Sequence, residues 1–444
     1  MKSSVLSLLE QGKYVKAREE IMGLNIVDIA QFIEEFEEEH ILILFRLLPK
    51  EIASNVFTYL SVEQQQYIIE GITDRETQNI IRDLFLDDTV DMLEEMPANI
   101  VQKILNNTSE NKRKLINKFL KYPENSAGSL MTVEYVSLKK EMTASEAISH
   151  IRKTGVDKET IDICYVTDKA RKLEGIISLR TIILSKQDVV IGDIMYTNII
   201  SISTQDDQED IANLFKKYDF IAMPVVDHEN RLVGIITIDD IVDIIEQENT
   251  EDFQRMAAMA PSEEEYLKTG IFTLSKHRIT WLLVLMVSAT FTGRIMGRFE
   301  NVLQSVIVLS TFIPMLMDTG GNAGSQSATL VIRGLALDEI KLTDMLKVFW
   351  KELRVSIIVG FALASVNFVR LFLIEKVDSL VNVTVCVSLF ITVVLAKVVG
   401  GILPIIAKKL KLDPAIMAGP LITTIVDAVA LLAYFSLASG LLGI

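Results

Sequence analysis

Pro314-Met-Leu-Met-Asp-Thr-Gly-Gly-Asn-Ala-Gly-Ser-Gln-Ser-Ala-Thr329 is the stretch on which the reading of this chain turns, because its polarity conflicts with its surroundings. It holds three glycines together with Asn322, Ser325, Gln326, Ser327 and Thr329, inside a run apolar enough to lie at membrane depth. Small residues let helices approach closely. Polar side chains at that depth must face protein or water, since lipid cannot satisfy them. A tight packing motif held by interhelical hydrogen bonds and a lining for a polar path both fit this stretch. Gly419-Pro-Leu-Ile-Thr-Thr-Ile-Val-Asp427 adds weight to the second reading. Asp427 is the only carboxylate beyond Ala415, and a charge near the centre of a spanning helix costs about 2.5–3.5 kcal/mol on insertion scales. Such a residue is paired or functional. The competing explanation is an intramembrane ion pair with Lys397.

Outward from these motifs, residues 271–444 read as five spanning segments, near 279–298, 302–333, 355–374, 380–407 and 415–440. Each carries roughly the twenty apolar residues a bilayer requires. The second is too long and too rich in glycine and polar residues to be one plain helix. Lys268, Lys276, Arg278, Arg333, Lys341, Lys347, Lys351, Arg354, Lys408, Lys409 and Lys411 fall on one side, against Arg294, Arg298, Arg370 and Lys376 on the other. The richer side is cytoplasmic by the positive-inside rule, which puts the amino terminus inside and the carboxyl terminus outside. The first residues, Met1-Lys2-Ser3-Ser4-Val5, lack the charged and apolar regions of a signal peptide, so the amino-terminal half is expected in the cytosol.

That half is strongly acidic. Of the 444 residues, half are hydrophobic, and residues 1–270 hold 29 Lys and Arg against 49 Asp and Glu, a net charge of −20. The remainder is net +5. Such a balance argues against nucleic acid, whose phosphates need a basic footprint, and suits cations. Cys164 and Cys386 are far apart and without metal-ligand spacing, so neither a disulfide framework nor a zinc site is expected. There is no Ser/His/Asp set, phosphate-binding loop or metal-ligand pair to support an enzyme.

Residues 126–250 contain an internal repeat. Tyr165-Val-Thr-Asp168 and Gly175-Ile-Ile-Ser178 return 59 residues later as Pro224-Val-Val-Asp227 and Gly234-Ile-Ile-Thr237. Val136-Ser-Leu138 pairs with Ile200-Ser-Ile202, and a helical stretch follows each. This β-α-β-β-α order resembles a tandem pair of cystathionine-β-synthase (CBS) domains, opened by Met131-Thr132 and Met195-Tyr196. CBS pairs often bind adenine nucleotides. Thr237-x-x-Asp240 fits the ribose-binding spacing, while Ser178-x-x-Thr181 lacks the acid. Arg180, Thr237 and Asp240 are the nucleotide candidates, with ATP as ligand.

Residues 1 to about 122 read as short amphipathic helices, whose start signals recur about every twelve residues at Pro49, Ser61, Thr73, Leu86-Asp87 and Pro97. Ser61-x-x-Gln64 and Thr73-x-x-Glu76 fit the capping box. Apolar stripes such as Ile52, Val56, Leu60 and Ile68, Ile69, Ile72 suggest a small α-superhelix in which each unit buries its face on its neighbours. Residues 241–270 read as one long helix, acidic at its start with Asp243, Glu246, Glu248, Glu251 and Asp252.

The order of helical repeat, CBS pair, connecting helix and five spans resembles the MgtE family of magnesium transporters over essentially the whole chain. The Gly-Gly-Asn-Ala-Gly-Ser-Gln-Ser motif and the Gly-Pro-Leu-Ile-Thr-Thr-Ile-Val-Asp427 motif carry the likeness. The fold implied is multi-domain: an acidic helical domain over 1–125, CBS domains over 126–190 and 191–246, a connecting helix over 247–270, and an all-α membrane domain over 271–444. The resemblance implies a homodimer in the plasma membrane, with one pore on the two-fold axis lined by the second and fifth spans. Asp427, Thr423, Asn322, Ser325 and Thr329 would serve the ion. Family members often carry Asn where Ser325 and Gly419 stand. The family also binds cytosolic Mg²⁺ between its soluble parts, and the matching positions here are Asp88, Asp91, Glu209, Asp219, Asp240, Asp243, Glu248, Glu251 and Asp252. Bound Mg²⁺ would screen their repulsion and close the path. The alternatives are the same architecture selective for another divalent ion such as Co²⁺, or a tethered CBS sensor that transports nothing.

Overall fold

The computed structural model describes residues 1–262, 266–267 and 269–443, and the chain forms two compact units, Met1–Ile245 and Glu246–Ile444. The first opens with a row of short helices between Lys2 and Phe119. Pro49 and Pro97 stand at N-cap positions, as the punctuation predicts. Thr73 caps α1 (Asp74–Asp83): its Oγ1 accepts from the Glu76 amide at 3.3 Å, and Glu76 Oε2 accepts from the Thr73 amide at 2.8 Å. The same box expected at Ser61 does not form. The Ser61 amide donates instead to Glu34 Oε1 at 2.9 Å, so a carboxylate from an earlier helix has taken the donor that Gln64 would have used. Val56, Leu60, Ile68, Ile69 and Ile72 are buried. Each helix packs on the next but one, Lys50–Thr58 on α1 and α1 on Ala98–Asn107, so the apolar stripes close a continuous core. Two later members of the row, α2 (Leu86–Glu95) and α3 (Glu110–Phe119), carry charged residues discussed below.

Each CBS copy is a three-stranded sheet. In the first, β1 (Ser137–Leu138) lies parallel to β2 (Ile163–Thr167), which pairs antiparallel with β3 (Leu173–Ser178). In the second, β4 (Ile202–Ser203), β5 (Ala222–Val226) and β6 (Leu232–Thr237) repeat that order. The 59-residue offset survives in the register, where Tyr165 faces Ile176 and Pro224 faces Ile235. Helices α4 (Ala144–Thr154) and α5 (Gln208–Tyr218) complete the copies. The segments that open the copies are exchanged: Thr132 bridges to Ile235 of the second sheet, and Tyr196 to Ile176 of the first. A Cβ at Gly234 would stand 2.8 Å from Met131 Sδ, and one at Gly175 would meet Met195, so the Gly of each Gly-Ile-Ile admits the other copy's methionine.

The connecting helix differs from its expected course. α6 spans Ile238–Met256, beginning before residue 241 and stopping well short of 270. Ala258 takes a left-handed φ of 54°, and Gln254 fastens the returning chain by accepting from the Ser262 amide at 2.7 Å. Pro261 follows that break, so the helix has no way to continue. Glu263, Glu264, Glu265 and Lys268, within the expected helix, lie outside the described residues.

Among the described residues of the second unit, four helices are long and apolar enough to cross a membrane: α7 (Ile271–Arg298), the stretch Leu342–Glu375 that contains α9 (Met345–Arg370), α10 (Ser379–Lys409) and α11 (Gly419–Leu442). The expected second segment resolves into a short helix, a 3-10 turn over Ile307–Phe312 and then α8 (Ile313–Ala336), whose first turn holds Pro314. At 1.5 Å per residue α8 is about 36 Å long, enough to span, although its polar run keeps it below the hydropathy of the other four. α8 packs against α10 and α11, α9 against α10, and α7 against α11.

Candidate functional site

The polar motif sorts its residues by face. Gly320, Gly321, Ala323, Gly324, Ser327 and Ala328 are buried against α10 and α11. A Cβ at Gly321 would stand 3.0 Å from Thr423 Cγ2, and one at Gly320 would be 3.1 Å from Val426 Cγ1. The glycines therefore set how closely α8 and α11 approach. Asp318, Asn322, Gln326, Thr329 and Arg333, at helical spacing, are left exposed on the opposite face, with Ser325 half-buried beside them. The two helices run antiparallel, because Gly320 meets Val426 and Ala430 while Gly324 meets Ile422 and Val426. That register brings Asp318 level with half-buried Asp427, and the two carboxylates act on each other electrostatically. Asp318 escaped the sequence reading, although it is the lone carboxylate between Glu300 and Asp338 and the criterion that singled out Asp427 applies to it equally.

Other expected members take packing roles. Thr423 puts its methyl on Gly321 and donates its hydroxyl to the Pro420 carbonyl at 2.8 Å. Gly419 has a φ of 48°, in the left-handed region that glycine and asparagine tolerate best, and a Cβ there would meet the Met256 carbonyl. The competing ion pair is not formed among the described residues: Lys397 Nζ donates to Gln326 Oε1 at 3.4 Å and reaches no carboxylate.

The first unit holds a second acidic set. Asp87, Asp88 and Asp91 on α2 face Asp239 and Asp240 at the start of α6, with Glu134 and Glu159 from the first CBS copy. Burial, then Asp240, pushes Asp91 up to about 7. Burial, then Asp239 and Asp240, pushes Glu159 up to about 8. Asp240 rises to about 7 through burial and then Asp239, and Asp87, 7% exposed, lies well above the carboxylate range for the same first cause. Among the described residues no ion pair reaches these acids. The nearest cation, Lys112 of α3, donates at 2.6 Å to the carbonyls of Ile81 and Leu84, capping the end of α1. Glu159 Oε2 is buried without a hydrogen-bond partner. No three acidic, histidine or cysteine side chains among the described residues converge closely enough to ligate an ion directly.

The expected regulatory list thus divides. Asp88, Asp91 and Asp240 meet in this set, joined by Asp87, Glu134, Glu159 and Asp239, which the sequence did not single out. Glu251 and Asp252 belong to the second unit, where Arg255 pairs with both Glu251 and Asp413. Burial, then Asp413 and Glu248, pushes Asp252 up to about 6. Glu209 lies in the first turn of α5, and Asp219 ends that helix in a left-handed conformation. Asp243 is exposed on α6. Of the nucleotide candidates, Thr237 donates to Asp240 Oδ2 at 3.0 Å, whereas exposed Arg180 contacts neither.

Known proteins resemble this chain along nearly its whole length. The magnesium transporter MgtE of Thermus thermophilus is 35% identical over 447 residues, covering 99% of this chain and 98% of that one. The chain belongs to the MgtE family. Bacillus subtilis MgtE is 32% identical over 98% of this chain and 96% of its own length. The family model described as a divalent cation transporter matches residues 313–437, which include both α8 and Asp427. The MgtE intracellular N domain matches 24–125, and the CBS model matches 127–187 and 191–247. Among solved structures, the cytosolic domain of the Mg²⁺ channel MgtE in complex with ATP is 33% identical, with a TM-score of 0.52 over 55% of this chain and all of that one.

Proposed function

We propose that two copies of this chain form a magnesium-conducting pore on their shared two-fold axis, lined by α8 and α11, with Asp427 as its acidic ring. The observation that carries this reading is the open face of α8. A spanning helix with Asp318, Asn322, Gln326, Thr329 and Arg333 exposed on one side cannot rest that side on lipid. A second copy and water are the partners that satisfy it. Mg²⁺ gives up its waters reluctantly and is held by one or two carboxylates through its hydration shell, which suits an aspartate ring with amides and hydroxyls around it. Counting α8 gives five spans, with the amino terminus in the cytosol, the carboxyl terminus outside and the plasma membrane as the site of action.

The acidic cytosolic set supplies the regulation. Crowded carboxylates that Lys112 offsets only in part repel until a cation screens them, and the unpartnered Glu159 oxygen suits a water of hydrated Mg²⁺. Binding there favours the closed state, so the ion inhibits its own entry. Glu251, Asp252 and Asp413 extend the same response to the second unit, with Arg255 among them. ATP at the CBS pair is supported by the relative solved with it and by the Thr237–Asp240 spacing. The test is growth rescue of a cell lacking its Mg²⁺ importers. The intact protein should rescue and Asp427→Ala should not; rescue by the aspartate variant would remove the pore. Deletion of residues 1–250 should leave uptake active but insensitive to internal Mg²⁺.

A further inference from the structure

Two neighbouring residues of α8 are held by charged side chains from two different helices. Ser327, 1% exposed, donates its hydroxyl to Glu352 Oε2 of α9 at 2.6 Å. Gln326 Oε1 accepts from Lys397 Nζ of α10, whose side chain is buried. Successive residues on an α-helix point about 100° apart, so bonds from an adjacent pair to two separate helices fix the rotation of α8 about its own axis. Around glycines 320, 321 and 324 the packing face offers no side chain to share that task.

α10 is built to let the first of these bonds through. A Cβ at Gly400 would run into the backbone of Gly324, and one at Gly401 would stand 2.8 Å from Glu352 Cγ. One glycine of this pair admits α8 and the next leaves the gap across which Glu352 reaches it. Charged side chains in spanning segments are costly and mark function by default. Glu352 bonds to none of the residues on the open face, so any influence it has on the ion passes through Ser327.

We propose that Glu352 and Lys397 are positioning residues for transport: they hold α8 at the rotation that turns Asn322, Ser325 and Thr329 toward the open side where Asp427 stands. This rests on the pore reading above. The experiment measures Mg²⁺ uptake into proteoliposomes by full-length protein as a function of Mg²⁺ concentration. Ser327→Ala and Glu352→Ala should each raise the half-saturating concentration about tenfold, with folded yield unchanged. The double variant should be no worse than either single one, since both break one bond. Gly401→Ala should reproduce the shift by displacing Glu352, and Lys397→Met should move it the same way by less. Glu352→Gln keeps an acceptor for Ser327 and should stay within about twofold of the parent. Unshifted half-saturation in Ser327→Ala, additive effects in the double variant, or Glu352→Gln as impaired as Glu352→Ala would overturn the proposal. Should Glu352→Ala fail to insert, Ser327→Ala and Gly401→Ala carry the test alone. Asp427→Ala separates the two readings. Its inactivity beside unshifted Ser327 and Glu352 variants sinks only the positioning role, whereas normal uptake by Asp427→Ala sinks the pore and this role together.

Discussion

The two units of this molecule both concentrate carboxylates, and they do so in opposite ways. In the first unit, acids from α2, from the first CBS copy and from the start of α6 share one neighbourhood, and several are held well above their ordinary titration range by burial and by one another. In the membrane unit, Asp318 and Asp427 stand as single acids on single helices, with glycine packing between them. A crowd of acids spreads its response over many members and grades it. A lone acid in a spanning helix has no understudy. On the proposed function, the difference would separate a sensor, which must respond over a range, from a conducting site, which must either attract the ion or fail.

That contrast orders the expected effects of substitution. The largest belongs to Asp427: if it forms the proposed ring, its replacement by Asn should reduce Mg²⁺ uptake about a hundredfold or more, because that carboxylate would attract the hydrated ion directly. Asp318→Asn should cost less, about tenfold, since it contributes its field from the neighbouring helix. Comparable losses from the two would mean that α8 and α11 share the ion equally, which would weaken the idea of a single ring. Single neutralisations in the cytosolic set, such as Asp91→Asn or Asp240→Asn, should move the Mg²⁺ concentration that halves uptake by only a few-fold. A complete loss of inhibition from either one would show that the set behaves as a single site after all. Titrating internal Mg²⁺ against uptake in proteoliposomes measures both.

Local signals made much of this legible from the sequence. The repeat at 59 residues survives as sheet register, and the twelve-residue punctuation survives as helix starts, because both are written in residues that act on their own neighbours. What escaped was written in tertiary packing. Glu134, Glu159 and Asp239 join Asp88 and Asp91 only once α2 lies against the CBS pair, and no spacing along the chain announces that. Gln64 lost its part in the Ser61 box to Glu34, twenty-seven residues upstream of Ser61. The end of α6 at Met256 depends on left-handed Ala258, a residue type that gives no warning of such a turn. Asp318 is a different case: a lone carboxylate in a spanning run is a signal in its own right, here set among glycines that carry a stronger one.

The shifted acids also give the first unit a pH dependence of definite sign. Asp91, Asp240 and Glu159 titrate near 4 in an unfolded chain and at about 7, 7 and 8 here. Between those limits the folded form binds more protons, so stability falls as pH rises, being fully present below about pH 4 and lost through pH 8. Thermal unfolding of a fragment ending after Met256 should show a falling midpoint between pH 5.5 and 8 without divalent cation. Millimolar Mg²⁺ should flatten the slope, and a slope equally steep with Mg²⁺ would argue that the ion does not bind among these acids.

The smallest effects test how much of this unit's stability is local rather than shared. Thr73 and Ser61 occupy matching N-cap positions, yet only Thr73 closes its box, with bonds of 2.8 and 3.3 Å to Glu76. Thr73→Ala should therefore cost about 1 kcal/mol in a denaturant titration, the usual value of a cap, while Ser61→Ala should cost a few tenths at most. Neither cap lies among the acids, so neither substitution should move the Mg²⁺ response. If Thr73→Ala shifted that response as well, the helical row and the acidic set would be mechanically coupled through α1 and α2. The grading attributed above to a crowd of charges would then belong partly to the fold that carries them.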